Sequence, residues 1–345
     1  MANPILSPTN FLEKAKTLPV IDVRSPAEYT HAHIPGAINI PLFDNEGRAK
    51  VGTCYKQLGR EAAVRLGLTL VGPHLADFVA QADAIAPNRE VLVHCWRGGM
   101  RSGSFSTLLR AAGYTVYTLE GGYKAYRNHV LSAFEQSRPI IILGGKTGSG
   151  KTDILKALRE KGEQVIDLEA IAHHKGSSFG AIGQEPQPSS EQFENLLYRQ
   201  WATLDTSRRL WLEDESRNIG TCILPLPLWR QMEQVPVIFF LDVPKEVRIQ
   251  RLVREYACYP PTLIQEATER IKKRLGGQHY QAALEALSNQ DYATGAAISL
   301  NYYDKAYLHG ISQHPSEQVV TFIITEDNPE ATAQLLLQEV NKRNL

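Results

Sequence analysis

The chain has 345 residues, of which 43% are hydrophobic and 21% are charged; this is typical of a globular protein of about two domains and excludes a disordered chain. Lys and Arg total 37 and Asp and Glu total 37, so the formal net charge is zero and a histone-like polycation is excluded. The longest apolar runs, such as 235–241, are far shorter than the ~20 residues of a membrane span, so we expect no membrane association. The four separated cysteines form no C-x-x-C pair, so we expect a cytoplasmic protein without disulfides.

In the first half of the chain, short apolar runs alternate with helical patterns. Four of these runs predict β-strands, at 19–23, 37–40, 90–94 and 114–119, and helical patterns follow at 102–112 and 123–134. Strands that alternate with helices are typical of a parallel α/β sheet. We therefore predict a parallel-sheet α/β domain for this half.

The second half repeats this alternation. Strands are predicted at 139–143, 164–168, 210–213 and 235–243, a helix at 151–161, and long helical patterns from 245 to about 287. We place the boundary near 136–138. This predicts a first domain at 1–137 and a second α/β domain at 138–345, whose helical C-terminal region includes a basic segment at about 244–290.

A cysteine follows the predicted strand at 90–94 and precedes a helix. Cys95 is followed by Arg97 and Arg101 in the sequence HCWRGGMRS. A loop between a strand and a helix N-terminus directs backbone N–H groups inward, and these groups and the two arginines would stabilise a thiolate. We predict that Cys95, Arg97 and Arg101 are catalytic and act on an anion such as phosphate, thiosulfate or a selenium analogue. The alternative is a buried core cysteine.

A phosphate-binding loop opens the second domain. The segment GKTGSGKT matches G-x4-G-K-[ST], follows an apolar strand and begins a helix, as the motif requires. Its predicted phosphate-binding residues are Gly145, Gly148, Gly150, Lys151 and Thr152. The backbone would cradle a diphosphate, Lys151 would reach its terminal phosphate, and Thr152 would hold Mg²⁺. The motif recognises diphosphate geometry, which need not come from ATP or GTP.

Acidic residues at predicted strand ends are candidates for the metal side of this loop. Glu213 ends the strand at 210–213 and Asp214 follows it, and Asp242 lies near the end of another strand; Asp167 is a weaker option. Carboxylates in such positions commonly bind Mg²⁺ or transfer protons. For each of them a helix cap or a solvated strand end is an equal alternative, so no metal site is certain.

The basic segment has two clusters of cations. Arg248, Arg251 and Arg254 are spaced by three and would share one helix face, and Lys272, Lys273 and Arg274 follow. With tyrosines nearby, these residues would suit contacts with RNA phosphates and unstacked bases. The alternatives are a solvated helix face, or arginines that reach the ligand of the phosphate loop.

The first half resembles the rhodanese family, which carries sulfur or selenium on a loop cysteine. The resemblance rests on the segments 20–29, 33–37 and 119–122 and on the Cys95 loop. Cys95 and Arg101 are separated by five residues, a spacing found in tyrosine and cell-cycle phosphatases, which suits a tetrahedral phosphate. Two interpretations stay open: a selenium donor that bears a phosphate, or a phosphatase with a nucleotide-binding accessory domain and Asp22 or Asp44 as the general acid.

Over about 12–320 the chain resembles the bacterial tRNA 2-selenouridine synthases, in which a rhodanese-like domain precedes a P-loop NTPase-like domain. The matching segments are 22–28, 94–102, 145–152, 176–179 and 213–220. The resemblance implies a transferase that converts wobble 2-thiouridine in tRNA to 2-selenouridine with selenophosphate, through an S-geranyl intermediate made from geranyl diphosphate. It implies two partners: tRNA, which the six cations of the basic segment would bind, and the enzyme that produces selenophosphate. A nucleotide-regulated RNA-binding module is a further alternative.

Overall fold

The structure, a computed structural model, describes residues 4–345. The first of two units comprises the described residues up to Ala133 together with Glu194–Leu196. Its strands are β1 (Ile5–Leu6), β2 (Val20–Asp22), β3 (Ile38–Asn39), β4 (Glu90–His94) and β5 (Thr115–Leu119). They form a parallel sheet in the order β1-β5-β4-β2-β3.

The central strands of this sheet are buried on both faces, as is usual for parallel sheets. Every residue of β2 is buried, and so are residues 91–94 of β4. Asp22 pairs in register with His94, so the carboxyl ends of β2 and β4 are level with each other. This edge of the sheet is where the chain continues into Cys95.

The helices of the first unit are α1 (Pro8–Lys14), α2 (Pro26–His31), α3 (Asn45–Val71), α4 (Leu75–Ile85), α5 (Met100–Ala111) and α6 (Gly122–Ala133), with a 3₁₀ turn at Gly72–His74. By length and composition alone, the stretch Asn45–Ile85 is apolar enough to cross a membrane. This is weak evidence for a membrane span, because the core helices of soluble proteins pass the same test. The stretch is also broken at Gly59, where φ is 84°, and at the 3₁₀ turn.

The second unit comprises Phe134–Phe193 and Leu197–Leu345. Its strands are β6 (Ile140–Gly145), β7 (Gln164–Val165), β8 (Leu210–Glu213), β11 (Ile238–Asp242) and β12 (Val319–Ile323), in the order β12-β11-β6-β8-β7. All pairs in this sheet are parallel. A separate antiparallel pair is formed by β9 (Asn218–Ile219) and β10 (Cys222–Ile223).

The helices of the second unit are α7 (Lys151–Glu160), α8 (Leu168–Ala172), α9 (Ser190–Trp201), α10 (Leu226–Glu233), α11 (Lys245–Tyr256), α12 (Pro261–Arg270), α13 (Lys272–Leu275), α14 (Gly277–Ser288), α15 (Tyr292–Ile311) and α16 (Pro329–Arg343), with a 3₁₀ turn at Ser316–Gln318. α7 and α16 pack side by side on the sheet. Their buried residues Leu158 and Leu336 belong to one apolar core with Trp211 of β8 and Phe239 of β11. This core fixes β6 and α7, which flank the phosphate loop.

The predicted fold class is confirmed: both units contain parallel sheets with helices, and the C-terminal region is largely helical. The strand predicted at 235–243 is shorter, since β11 begins at Ile238 after Pro236, which lacks the N–H needed for sheet pairing. Several elements were not predicted from the sequence, among them α3, α15, β12 and α16. The boundary predicted near 136–138 stays a prediction beside the division at Phe134.

Candidate functional site

Cys95 is the first residue after β4, and residues 95–99, here called the thiolate loop, connect it to α5. The amide of Tyr123, in the first turn of α6, donates a 2.8 Å hydrogen bond to the Cys95 carbonyl. Gly122 has φ +61°, and a Cβ there would lie 2.4 Å from the Cys95 carbonyl oxygen. This close approach therefore requires glycine, and it anchors the thiolate loop to α6.

The environment of Cys95 favours the thiolate. The residue is 3% exposed, and burial alone would raise the pKa of its thiol. Hydrogen bonds from the Ser102 hydroxyl, 3.2 Å from Sγ, and from the amides of Ser102, Arg97 and Gly99 outweigh burial and lower the pKa below its ordinary value. Sequence reasoning anticipated the amides but missed Ser102, whose place in the first turn after the loop was the available signal.

Arg97 and Arg101 line an open cavity of about 570 Å³ together with Cys95, so the structure brings the three predicted residues together. Arg101 is held by Glu28 through bonds of 2.6 and 3.2 Å. Burial would raise the pKa of Glu28, but the hydrogen bonds and charge of Arg101 dominate and lower it. An anion entering the cavity thus competes with the Glu28 carboxylate for Arg101. The role of Glu28 was not predicted.

Neither acid proposed for a phosphatase lines this cavity. Asp22 is fully buried and bound to Arg24 at 2.6 Å. Burial alone would raise the pKa of Asp22, but the charge of His94 and the bonds from Arg24 lower it, so Asp22 stays ionised. Asp44 caps α3 by accepting a hydrogen bond from the Gly47 amide. The expectation that Asp22 acts as a general acid is wrong, because Asp22 is buried in an ion pair, whereas a role for the exposed Asp44 stays a prediction.

The phosphate loop, or P-loop, runs from the end of β6 into α7. It opens onto a cavity of about 910 Å³, here called the P-loop cavity. The cavity is lined by all five predicted residues: Gly145, Gly148, Gly150, Lys151 and Thr152. Lys151 Nζ donates to the Gly145 carbonyl at 3.1 Å. Gly148 and Gly150 have φ values of +80° and +82°, which glycine adopts without strain. This is the curled backbone that a diphosphate requires.

Carboxylates gather beside Lys151. Asp214 lines the cavity and accepts a 2.6 Å hydrogen bond from Tyr307, whereas Glu213 is fully buried beneath it. Burial, and then the charges of nearby carboxylates including Asp167 and Glu169, raise the pKa of Glu213 well above its ordinary value. In the described part of the chain, Glu213 Oε1 has no hydrogen-bond partner. Burial among other carboxylates therefore favours the protonated form of Glu213.

Two further acids of this cluster, Glu169 and Glu215, were not predicted as site residues. Both line the cavity, and the Thr152 hydroxyl lies 3.4 Å from Glu169 Oε2. Burial and the charge of Glu169 raise the pKa of Glu215 well above its usual range. Glu215 adjoins the predicted pair in sequence, which was the available signal. Glu169 lies on α8, and only the tertiary structure brings it beside Thr152.

Asp242 does not join this cluster. It ends β11 and forms an ion pair with Lys146 at 2.9 Å, outside the lining of the P-loop cavity as the structure describes it. Its predicted metal or acid–base role is not supported, because Lys146 occupies its carboxylate. Across residues 4–345, no three His, Cys, Asp or Glu side chains form a ready metal-ligand group. Mg²⁺ would thus depend on Thr152 and on oxygens of a bound diphosphate.

The arginines of α11 do not form one exposed stripe. Arg248 is 2% exposed, pairs with Asp304 at 2.7 and 2.8 Å and donates to the carbonyls of Val243 and Thr147. The prediction that Arg248 binds tRNA is wrong, since its guanidinium is sealed inside the unit. Arg251 and Arg254 line the P-loop cavity instead.

Arg251 is bound by Asp153 and Asp327, and Arg254 lies 2.5 Å from Asp327 with its side chain 67% exposed. Their placement favours the alternative in which these arginines reach the ligand of the phosphate loop. Lys272, Lys273 and Arg274 all lie on the short helix α13 and are exposed. Their tRNA contacts stay a prediction.

A thiolate loop on one parallel sheet and a phosphate loop on another define a rhodanese-like domain fused to a P-loop domain. Residues 8–129 match the rhodanese-like domain family, and residues 138–342 match the family described as tRNA 2-selenouridine synthase AAA domain. The chain is 43% identical over 341 residues to the tRNA 2-selenouridine synthase of Serratia proteamaculans, covering 88% of this chain and 89% of that protein. It is 38% identical over 331 residues to that of Shewanella denitrificans, covering 86% and 89%.

The chain therefore belongs to the tRNA 2-selenouridine synthase family, whose members are tRNA-modifying enzymes, as predicted from the sequence. Among solved structures, the N-terminal domain of an ATP/GTP binding protein of Clostridium difficile 630 is 45% identical, with a TM-score of 0.34. The alignment covers 37% of this chain and 98% of that one.

Proposed function

We propose that the chain replaces the C2 sulfur of wobble 2-thiouridine in tRNA with selenium from selenophosphate, through an S-geranyl intermediate made from geranyl diphosphate. The observation that carries this proposal is the presence of two anion sites of different chemistry. One contains a stabilised thiolate at Cys95, and the other is a P-loop with Lys151. Each site could serve one of two reactions, and each of these reactions involves a phosphorus-containing anion.

The P-loop serves the first reaction. The C2 sulfur attacks C1 of geranyl diphosphate, a C–S bond forms, and the C–O bond breaks as diphosphate leaves with the electron pair. The proton on N3 is lost to solvent. The loop amides and Lys151 stabilise the negative charge that develops on the leaving group. Alkylation turns a poor leaving group, the C2 sulfur, into a thiol that can depart.

The thiolate loop serves the second reaction. Cys95 attacks the phosphorus of selenophosphate, an S–P bond forms, and selenide leaves with the electrons of the P–Se bond. Selenide then adds to C2 of the alkylated base and expels geranylthiolate, while water hydrolyses the S–P bond. No atom changes oxidation state in total, so no external oxidant or reductant is needed. Arg97 and Arg101 would hold the phosphate oxygens.

Other parts of the chain would serve the same reactions. Mg²⁺ would be held by Thr152 and by oxygens of the bound diphosphate, and it would neutralise diphosphate charge. The tRNA would contact the exposed cations Lys272, Lys273 and Arg274. The selenophosphate-producing enzyme is the expected supplier of the donor, and the cytoplasm, where tRNA and reduced thiols occur, is the expected location.

Mass spectrometry of wobble nucleosides, after each variant is expressed in cells lacking the enzyme, tests this assignment. We expect Cys95→Ser to accumulate S-geranyl-2-thiouridine without 2-selenouridine, because only the second reaction is lost. We expect Lys151→Ala to lose both products. If Lys151→Ala keeps geranylation while selenation fails, the P-loop is not the geranyl diphosphate site.

A Cys-x5-Arg phosphatase is the rival function, favoured by the lowered pKa of Cys95 and its spacing from Arg101. Hydrolysis of an aryl phosphate by wild type, abolished by Cys95→Ser, would support it. We expect negligible turnover, since Asp22 is buried in an ion pair with Arg24 and Asp44 lies outside the lining of the cavity.

A further inference from the structure

An apolar slot adjoins the P-loop cavity within the second unit. Its walls come from α11, α12, α14 and α15 and from the segment around Phe179. Leu252, Tyr256 and Tyr303 line both the slot and the cavity, and so does Thr147 of the phosphate loop itself. The slot is therefore continuous with the space in which a diphosphate would lie.

The wall of the slot is poor in available hydrogen-bonding groups. The Ser299 hydroxyl donates to the Gly295 carbonyl at 3.0 Å, and the Thr268 hydroxyl donates to the Ile264 carbonyl at 2.8 Å. Both donors are thus used within their own helices. The remaining wall is largely aliphatic and aromatic, with Phe179 as one of its half-buried members. The hydroxyls of Thr147 and Ser177 lie at the end shared with the cavity, so a nucleobase deeper in the slot would bury polar edges with few partners, which costs free energy, whereas a hydrocarbon would not.

We infer that the slot binds the distal end of the hydrocarbon chain of an organic diphosphate whose diphosphate lies on the phosphate loop. This inference rests on the proposed function, because it identifies where the substrate of that same site places its chain. The slot is narrow, about 60 Å³, beside a cavity of about 910 Å³. The first branched five-carbon unit lies in the cavity, and the units beyond it enter the slot.

The chain offers a matched pair of substitutions. Ala296 lines the slot from α15 and is half-buried, so Ala296→Phe fills the slot. Ala293 is exposed on the same helix, and Ala293→Phe adds the same side chain to solvent. Ala257→Leu, at the end of α11, narrows the slot from another side and replaces Ala296→Phe if that variant does not fold.

Titration calorimetry with inorganic diphosphate, dimethylallyl diphosphate and geranyl diphosphate gives the test. For Ala296→Phe we expect geranyl diphosphate to bind about tenfold more weakly, equivalent to about 1.4 kcal/mol. Inorganic diphosphate and the five-carbon dimethylallyl ester should be unaffected, because neither reaches the slot; unchanged binding of inorganic diphosphate also shows that the phosphate loop is intact. Ala293→Phe should bind all three ligands like wild type.

The outcomes separate the inference from the proposed function. If wild type prefers geranyl diphosphate to inorganic diphosphate and Ala296→Phe keeps that preference, the slot assignment is wrong while the proposed function stands. If wild type shows no such preference, the geranyl step of the proposed function fails and the slot assignment fails with it. If ATP binds more tightly than geranyl diphosphate and is weakened by Ala296→Phe, the slot holds a nucleoside and the inference is overturned.

Discussion

Replacing Ser102 by alanine should move the reactivity of Cys95 to higher pH. In the thiolate state the Ser102 hydroxyl donates to Sγ, which lies 3.2 Å away. In the thiol state the same hydroxyl can donate to the Gly99 carbonyl, also at 3.2 Å, while accepting from the thiol. Ser102 therefore stabilises the thiolate selectively, and its removal should raise the pKa of Cys95 toward the value that burial favours.

The size of this effect follows from the strength of the hydrogen bond. A hydrogen bond to a charged group contributes about 1.5–3 kcal/mol. Part of that is offset in wild type, because forming it gives up the bond to Gly99. A net loss of about 1.4 kcal/mol corresponds to about a tenfold smaller thiolate population at a pH below the pKa. The three backbone amides keep the remaining stabilisation, so reactivity should fall without disappearing.

The assay is the pH dependence of Cys95 alkylation by iodoacetamide, read as the modified peptide by mass spectrometry so that the other cysteines do not interfere. Ser106→Ala is the control: Ser106 lies one turn further along α5, is fully buried, and its hydroxyl has no hydrogen-bond partner in the described chain. We expect the alkylation midpoint to move to higher pH in Ser102→Ala alone. An unchanged midpoint in Ser102→Ala would refute the role given to this hydroxyl.

Three further outcomes are expected. Gly122→Ala should cost more in urea unfolding than Gly36→Ala: both have positive φ, which alone costs about 1–2 kcal/mol, but only at Gly122 would the Cβ strike the backbone of the thiolate loop. Arg248→Met should destabilise by about 3 kcal/mol, because it leaves the half-buried Asp304 unpaired, whereas exposed Arg254→Ala should change stability by less than about 0.5 kcal/mol. The pKa of Glu213 in the folded protein lies above its usual value of 4.5. The stability that protonated Glu213 contributes is therefore fully present below pH 4.5 and is lost as pH rises through the folded pKa. In melting curves, Glu213→Gln should be more stable than wild type at neutral pH but not in acid.

Sequence reasoning succeeded where a site is built from consecutive residues. The thiolate loop and the phosphate loop each follow a strand and precede a helix, and the glycines set the local backbone. The geometry of each loop therefore follows from the spacing of its residues along the chain. The structure brings the predicted residues Cys95, Arg97 and Arg101 together in one cavity. The strands beside them were predicted for the same reason: short apolar runs bounded by loop residues.

Sequence reasoning was weaker for elements without a clear pattern. The apolar residues of α3 do not form one stripe, and Leu58 and Leu68 are 73% and 68% exposed. A helix of this kind lacks the periodicity that predicts an amphipathic helix. β12 lies at the edge of its sheet, and most of its residues are only partly buried or exposed, so its composition is less distinctive than that of the central strands.

The sequence by itself determined the two anion loops, the fold class and the family. The tertiary structure alone decided which charges are free to act. Arg248 is bound by Asp304, and Asp242 is paired with Lys146. Glu169, on α8, lies beside Thr152 of the phosphate loop. Each of these pairings is between residues far apart in the chain. Such contacts depend on which helices the sheet brings together, and charge spacing along one helix carries no information about them.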